Sequence, residues 1–232
     1  MTDSDLQDRS VVVTGGGGAL GVAVCEALAA RGAKLHVPAF GVTDKERLGP
    51  LVEKGARVET GVDLTDEMAV DRFYDGVDGA LWGSIHLAGG FVFGPLADAS
   101  VADLDRMVGM NLKTTWLCCR AAVRHMSEGG RIVNVAAKPA LVPAANLVTY
   151  AATKAAVAAL TTGLSEEVAS QGIWVNAIAP SIMDTPANRA AMPDADHDAW
   201  PTVADVAATI VFLASPTNAV SRGAIVPVYG KS

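Results

Sequence analysis

Two residues of this chain, Tyr150 and Lys154, have the types and spacing of an acid–base pair. They stand four apart early in a long apolar-periodic segment. If that segment is a helix, their Cβ atoms lie one turn apart on one face, about 5–6 Å from each other. An ammonium that close stabilises phenolate and draws a tyrosine pKa down from roughly 10 toward neutrality. The phenol then becomes a usable proton donor or acceptor. A Tyr-x-x-x-Lys spacing alone arises often by chance, so its weight depends on the rest of the chain.

A second constellation is Thr14 followed by Gly15 to Gly18, Ala19, Leu20 and Gly21. Ser10 to Thr14 reads as a β-branched strand, and the pattern from Val22 through Ala29 reads as a helix. Strand, glycine turn and helix form a phosphate-binding unit, because bare backbone and a helix N-terminus both receive a pyrophosphate. Gly15, Gly17, Gly18, Ala19, Leu20 and Gly21 are its candidate cofactor contacts. The alternative, a flexible loop, is disfavoured by the flanking elements.

A second strand, residues 33–37, leads to Ala39, where a dinucleotide fold usually holds the adenosine ribose. No carboxylate stands there to repel a 2′-phosphate, and no arginine to receive one. The expected cofactor is NAD(P)H, with NADP slightly favoured over NAD. Asp44 to Arg47 read as a solvated helix start. Asp63, with Leu64 after it, closes a third strand over 56–61 and either caps the turn or meets the adenine amine. Thr65 is a candidate cap for a helix over 66–77. Ala88, Gly89 and Gly90 end a fourth strand, 83–87, and let a cofactor lie against the backbone.

The elements that must position these groups follow in order. Residues 101–126 are one long amphipathic stretch containing Asn111. Strands are expected over 131–135, 174–179 and 224–229, with the Tyr150 helix running to about residue 170. A last helix starts at Thr202 or Asp205 and runs to Leu213. Residues 184–200 are polar with little periodicity, which suggests a substrate lid. Strands alternating with helices predict one α/β domain over residues 1–232, doubly wound and of the Rossmann type. Its parallel sheet has about seven strands with helices on both faces, and its ligand crosses the strands' carboxyl ends.

Composition bounds the partners. The chain has 232 residues, half of them hydrophobic, and a formal net charge of −7. That charge argues against nucleic acid or an anionic membrane as the main partner. No apolar run approaches about 18 residues, so no membrane span is expected. Cys25, Cys118 and Cys119 lack zinc-type spacing, so no metal site is expected. They read as core residues of a cytoplasmic protein.

These motifs resemble those of the short-chain dehydrogenase/reductase family over essentially the whole chain. Thr14-Gly15-x-x-x-Ala19-x-Gly21 is similar to its cofactor loop, with Ala in a slot that often holds Gly. Asp63 matches its adenine-contacting aspartate. Ala88-Gly89 match the end of its Asn-Asn-Ala-Gly motif, whose first two residues are here His86 and Leu87. The resemblance implies that Asn111 supports a proton-relay water and that Tyr150 and Lys154 are the catalytic pair. It also implies that Pro180, Ser181, Ile182 and Thr185 grip the nicotinamide carboxamide. The family's catalytic serine falls on Ala137. Losing one donor there costs about 1–3 kcal/mol of transition-state stabilisation. Lys138, Asn146 and Thr149 are candidates to compensate, or plain loop residues.

One branch shares this serine-free loop, the quinonoid dihydropteridine reductases. The chain is similar to it at Ala88-Gly89-Gly90-Phe91, at Ala136 to Leu141 and along the lid from Asp184 to Trp200. It departs from that branch by having Asn111, and by having Ala39 where the branch has an aspartate. The resemblance implies hydride transfer to a conjugated imine or carbonyl, with Tyr150 as proton donor. Phe91, Ala137, Lys138, Asn188, Met192 and Trp200 are expected to shape the substrate pocket, Phe91 and Trp200 being equally readable as core. The alternatives are a general carbonyl/alcohol dehydrogenase and a cofactor-binding regulator that has lost turnover. By the same resemblance, the chain is expected to form a homodimer or homotetramer through the helices around Asn111 and Tyr150.

Overall fold

The computed structural model describes residues 4–232, so Met1, Thr2 and Asp3 of the polar N-terminus lie outside the described residues. Seven strands form one parallel sheet in the order β3-β2-β1-β4-β5-β6-β7. They are β1 (Ser10–Thr14), β2 (Lys34–Ala39), β3 (Arg57–Thr60), β4 (Leu81–His86), β5 (Gly130–Val135), β6 (Ile173–Pro180) and β7 (Ile225–Val228). The strand order reverses between β1 and β4, which is the switch point where such sheets bind ligands.

The helices are α1 (Ala19–Ala29), α2 (Val42–Arg47), α3 (Gly49–Val52), α4 (Glu67–Asp75), α5 (Val101–Met107), α6 (Thr114–His125), α7 (Val148–Glu167), α8 (Pro186–Ala191) and α9 (Val203–Ala214). Side chains alternate across a strand, and β1 shows it. Val11 and Val13 pack with Leu20, Val24 and Leu28 of α1 and Ile210 of α9. Val12 packs on the opposite face with Phe73 and Tyr74 of α4 and Leu117 of α6. The three cysteines are buried in these two layers. None of the described helices is long and apolar enough to cross a membrane.

Several expected boundaries shift for physical reasons. β2 continues through Pro38 to Ala39, although proline lacks an N–H. Pairing with β1 covers only Lys34 to His36, so beyond it β2 bonds β3 alone and Pro38 faces no second partner. The α4 cap is Asp66, whose side chain accepts from the Ala69 N–H, and not Thr65. Thr65 donates its hydroxyl and its backbone N–H to Asp63 Oδ1 instead. The long amphipathic stretch over 101–126 contains a π-helical segment, Val108–Lys113, between α5 and α6. Such a segment widens one turn and re-aims a side chain, here that of Asn111. Residues 184–200 are more ordered than their periodicity suggested, carrying α8 and a short helical turn, His197–Ala199. The segment's ends meet where the Asp184 N–H donates to the Pro201 carbonyl at 2.9 Å.

Candidate active site

Tyr150 and Lys154 occupy successive turns at the start of α7, as the spacing required. The Lys154 ammonium is buried and donates to the Val135 carbonyl at the exit of β5, 2.8 Å away. It lies 6.0 Å from the Tyr150 ring centroid. Their electrostatics differ from the sequence expectation. Burial pushes the Tyr150 phenol up to about 12 and the Lys154 ammonium down to about 8. Desolvation of each group outweighs their mutual effect. The pair at neutral pH is therefore a protonated phenol beside a largely charged ammonium, an acid and not a preformed phenolate.

Asn111 is fully buried and its side chain is hydrogen-bonded at both ends. Oδ1 accepts the Gly90 N–H at 2.8 Å, while Nδ2 donates to the Gly90 carbonyl at 3.2 Å and to Thr153 Oγ1 at 3.0 Å. Thr153 in turn donates to the Tyr150 carbonyl. Asn111 thus ties the exit of β4 to the first turn of α7. Oδ1 keeps a second lone pair beyond the one that accepts the Gly90 N–H, so support of a proton-relay water by Asn111 stays a proposal beside this bracing role. A Cβ on Gly89 would fall 2.7 Å from Asn111 Oδ1 and 3.4 Å from Lys154 Nζ, which shows how closely the β4 exit, the π-helical segment and α7 converge. Phe91 is 60% exposed, and its ring meets Tyr150 edge-on at 5.0 Å.

The serine slot holds Ala137, a buried and extended residue before a turn at Lys138–Ala140. Lys138 reaches across the β6 exit and places Nζ 5.1 Å from the Tyr229 ring. Asn146 is a left-handed residue (φ 62) whose carbonyl accepts the Gly94 N–H. It is a turn residue of the kind asparagine tolerates.

A buried polar chain supports this edge from below. His86 Nδ1 bonds Asn134 Oδ1 at 2.8 Å, His86 Nε2 bonds Ser84 Oγ at 2.8 Å, and Asn134 Nδ2 donates to Thr161 Oγ1 of α7. Tyr74 joins it through Ser84. Burial holds His86 near 4, below its ordinary value. It is a neutral strut in the slot where the family motif has asparagine.

The glycine loop fits a pyrophosphate. Gly18 caps α1 through its backbone alone, with no side-chain cap and no acid in the first turn, so the helix start is open to an anion. Gly18 and Ala19 are exposed there. Gly15 adopts φ 66, and a Cβ on it would press the Ala88 backbone at 2.7 Å. Gly21 must be bare because a Cβ would overlap the Gly15 carbonyl.

Other expected cofactor contacts are turned inward. Thr14 is buried and its Oγ1 accepts the Ala88 N–H, Leu20 is in the core, and Ala39 is buried at the β2 tip. Gly17 is buried under α2. At the other end, Thr185 Oγ1 caps α8 by accepting the Asn188 N–H, Ser181 Oγ donates to the Tyr229 carbonyl, and Ile182 is exposed. Pro180 ends β6 and is buried. Asp63 and Leu64 follow β3, with Asp63 exposed and held below the usual carboxylate range by its Thr65 hydrogen bonds.

The expected substrate residues of the lid make contacts within and beside their own segment. Asn188 donates its side-chain amide to the Met183 carbonyl, and the Met192 carbonyl accepts from His197 Nε2. Trp200 is buried against His197 and lines a cavity of about 570 Å³ with Thr202, Thr209, Pro227 and Tyr229. Neither Tyr150 nor Lys154 lines that cavity. Sequence reasoning missed Thr153, the Val135 carbonyl and the α2 residues Asp44 and Arg47. A backbone carbonyl leaves no sequence signal at all.

Comparison with known proteins agrees with this architecture. The family model described as short chain dehydrogenase matches residues 9–196. The galactitol 2-dehydrogenase of Rhizobium johnstonii is 36% identical, covering 96% of this chain and 94% of that protein. The cis-4-hydroxycyclohexanecarboxylate dehydrogenase of Sinomonas cyclohexanicum is 35% identical, covering 96% of each. Among solved structures, a blue fluorescent protein from a metagenomic library, in complex with NADPH, superposes with a TM-score of 0.88 at 28% identity, covering 98% of each chain. The protein therefore belongs to the short-chain dehydrogenase family and is an NAD(P)-dependent oxidoreductase.

Proposed function

We propose that this oxidoreductase reduces a conjugated imine or carbonyl, of the kind a quinonoid dihydropterin presents, with Tyr150 as proton donor. The single observation that carries the reading is the Ala137 methyl in the serine slot beside a retained Tyr150 and Lys154. An acceptor that is already electron-poor needs less help from a second hydrogen-bond donor than a plain ketone does. NAD(P)H supplies the hydride when bound. The exposed backbone of Gly18 and Ala19 at the α1 start, with Ala88, Gly89 and Gly90, Pro180, Ser181, Ile182 and Thr185, holds it along the strand ends. Tyr150, kept protonated by burial, donates the proton to the reduced heteroatom. Lys154 keeps a positive charge beside that site, and Asn111 braces the β4 exit against α7. Phe91 and Lys138 flank the acceptor, with Asn188 and Met192 on the lid segment 184–200.

A second reading, a dehydrogenase of simple secondary alcohols and ketones, is favoured by the names of the two relatives. Single-turnover oxidation of bound NADPH separates the two. Quinonoid dihydropterin should oxidise it faster than polyol-derived or cyclic ketones, and the reverse ranking sinks the first reading. If no acceptor oxidises bound cofactor, both fail and the chain is a cofactor-binding regulator. The rate should fall as pH rises through about 8, where Lys154 loses its charge. A rate that stays flat from pH 7 to 10 removes Lys154's charge from the mechanism.

We further propose that two copies pair across the α5–α6 face. Val101, Leu104, Met110 and Trp116 are exposed there, and light scattering reads the mass directly.

A further inference from the structure

Helix α2 is the solvated helix expected here, with no buried residue, and one of its sides also lies on the glycine loop. Arg47 Nη1 donates to the Gly17 carbonyl at 3.1 Å. Asp44 packs against the same residue so closely that a Cβ on Gly17 would lie 2.7 Å from the Asp44 Cα. Gly16, Gly17 and Ala39 are buried. The tip of β2, where this kind of fold ordinarily reads the adenosine ribose, therefore offers a ligand neither a side chain nor open backbone. Among the residues exposed around it are Gly18, Ala19, Phe40, Arg47 and Asp63. Phe40 is 76% exposed, immediately beyond the buried Ala39.

Arg47 is itself exposed, and its remaining guanidinium donors have no acceptor among the described residues. Asp44 and Arg47 are three apart on one short helix and both reach Gly17, yet they form no ion pair with each other among the described residues. Each is left to act on a ligand by itself.

We infer that α2, and not the tip of β2, reads the adenosine ribose. Arg47 receives the 2′-phosphate of NADPH, Asp44 opposes it, and Phe40 presents its ring to the adenine. A guanidinium anchored through one nitrogen keeps a fork of donors whose geometry suits a phosphate. A carboxylate at the same loop raises the energy of a second anion and accepts a hydrogen bond from a 2′-hydroxyl. The two side chains pull in opposite directions, so both cofactors bind, with NADPH preferred through the stronger charge-assisted contact.

The test is a binding titration by calorimetry with NADPH, NADH, 2′,5′-ADP and 5′-AMP. The last two carry only the adenosine end, so no turnover is involved. Arg47→Ala should weaken NADPH and 2′,5′-ADP by about 10–100-fold and change NADH and 5′-AMP by less than about threefold. Arg47→Lys should fall between, because it keeps the charge and loses the fork. Asp44→Asn should tighten NADPH and leave NADH unchanged or weaker. Equal losses for NADPH and NADH in Arg47→Ala, or no loss for either, overturn the assignment. Because Arg47 is exposed, circular dichroism should show an unchanged fold. The NADH titration reports separately whether the dinucleotide site itself is intact.

Discussion

The carboxyl edge of the sheet has two halves that are built differently. The half proposed for the nicotinamide, from β4 to β6, is dense with internal hydrogen bonds. Asn111 is bonded at both ends of its amide, Lys154 is tied to the Val135 carbonyl, and His86 and Asn134 form a polar strut beneath. The adenosine half, from β1 to β3, is held by backbone contacts around Gly15 and Gly21 and by a short helix resting on Gly17. Chemistry needs a reacting group held to within a fraction of an ångström, so buried polar groups there lock one another. Cofactor discrimination needs only charge of the right sign near a phosphate, and exposed side chains on α2 suffice.

The comparison breaks first at Tyr150. Tyr150→Phe removes the acid and should lower kcat about 10²–10⁴-fold with NADPH affinity unchanged in a direct titration. A rate within tenfold of the parent would show that the nicotinamide half works without it.

Acid should strike the strut next. His86 has a folded value of about 4 against an ordinary 6.5, so the unfolded chain binds more protons between those values. Its contribution is full above about pH 6.5 and is lost as pH falls toward 4, roughly 3 kcal/mol in all. Denaturant midpoints at pH 7.5 and 4.5 measure it, and His86→Asn should flatten the difference. His36 in β2 is also held low by burial. His36→Asn therefore apportions the acid sensitivity to the adenosine half, and a loss residing wholly there would invert the comparison.

Asn111→Ala should cost about 2–3 kcal/mol, since it leaves the Gly90 N–H without its partner. Thermal unfolding measures that loss. A variant as stable as the parent would mean the brace is idle.

The smallest effect is expected from Ala137→Ser. A restored donor should raise the reduction of plain ketones about tenfold, corresponding to about 1.4 kcal/mol, and leave a conjugated acceptor nearly unchanged. Equal gains for both acceptor classes would count against the proposed substrate class.

Much of this was legible in the chain because it is local. The glycine run between a β-branched strand and a helical pattern, and the i, i+4 placement of Tyr150 and Lys154, each involve one element and its neighbour. Alternation of strands and helices was enough to imply the parallel doubly wound sheet. The misses are all non-local. Pro38 belongs to β2 because β1 ends its pairing at His36, which nothing within β2 states. The π-helical segment at Val108–Lys113 coincides with Asn111 meeting Gly90 and Thr153, residues 21 before it and 42 after it.

The sequence by itself determined the family, the sheet and the placement of Tyr150 and Lys154 one turn apart, since motif order and short-range periodicity carry them. Tertiary structure alone decided the charge state of that pair, because burial and not spacing pushes Tyr150 up and Lys154 down. It alone also brought Arg47 and Asp44 to Gly17, some thirty residues away in the chain. Desolvation and long-range contact depend on what the folded chain packs around a residue, and neither is a property of the residues beside it.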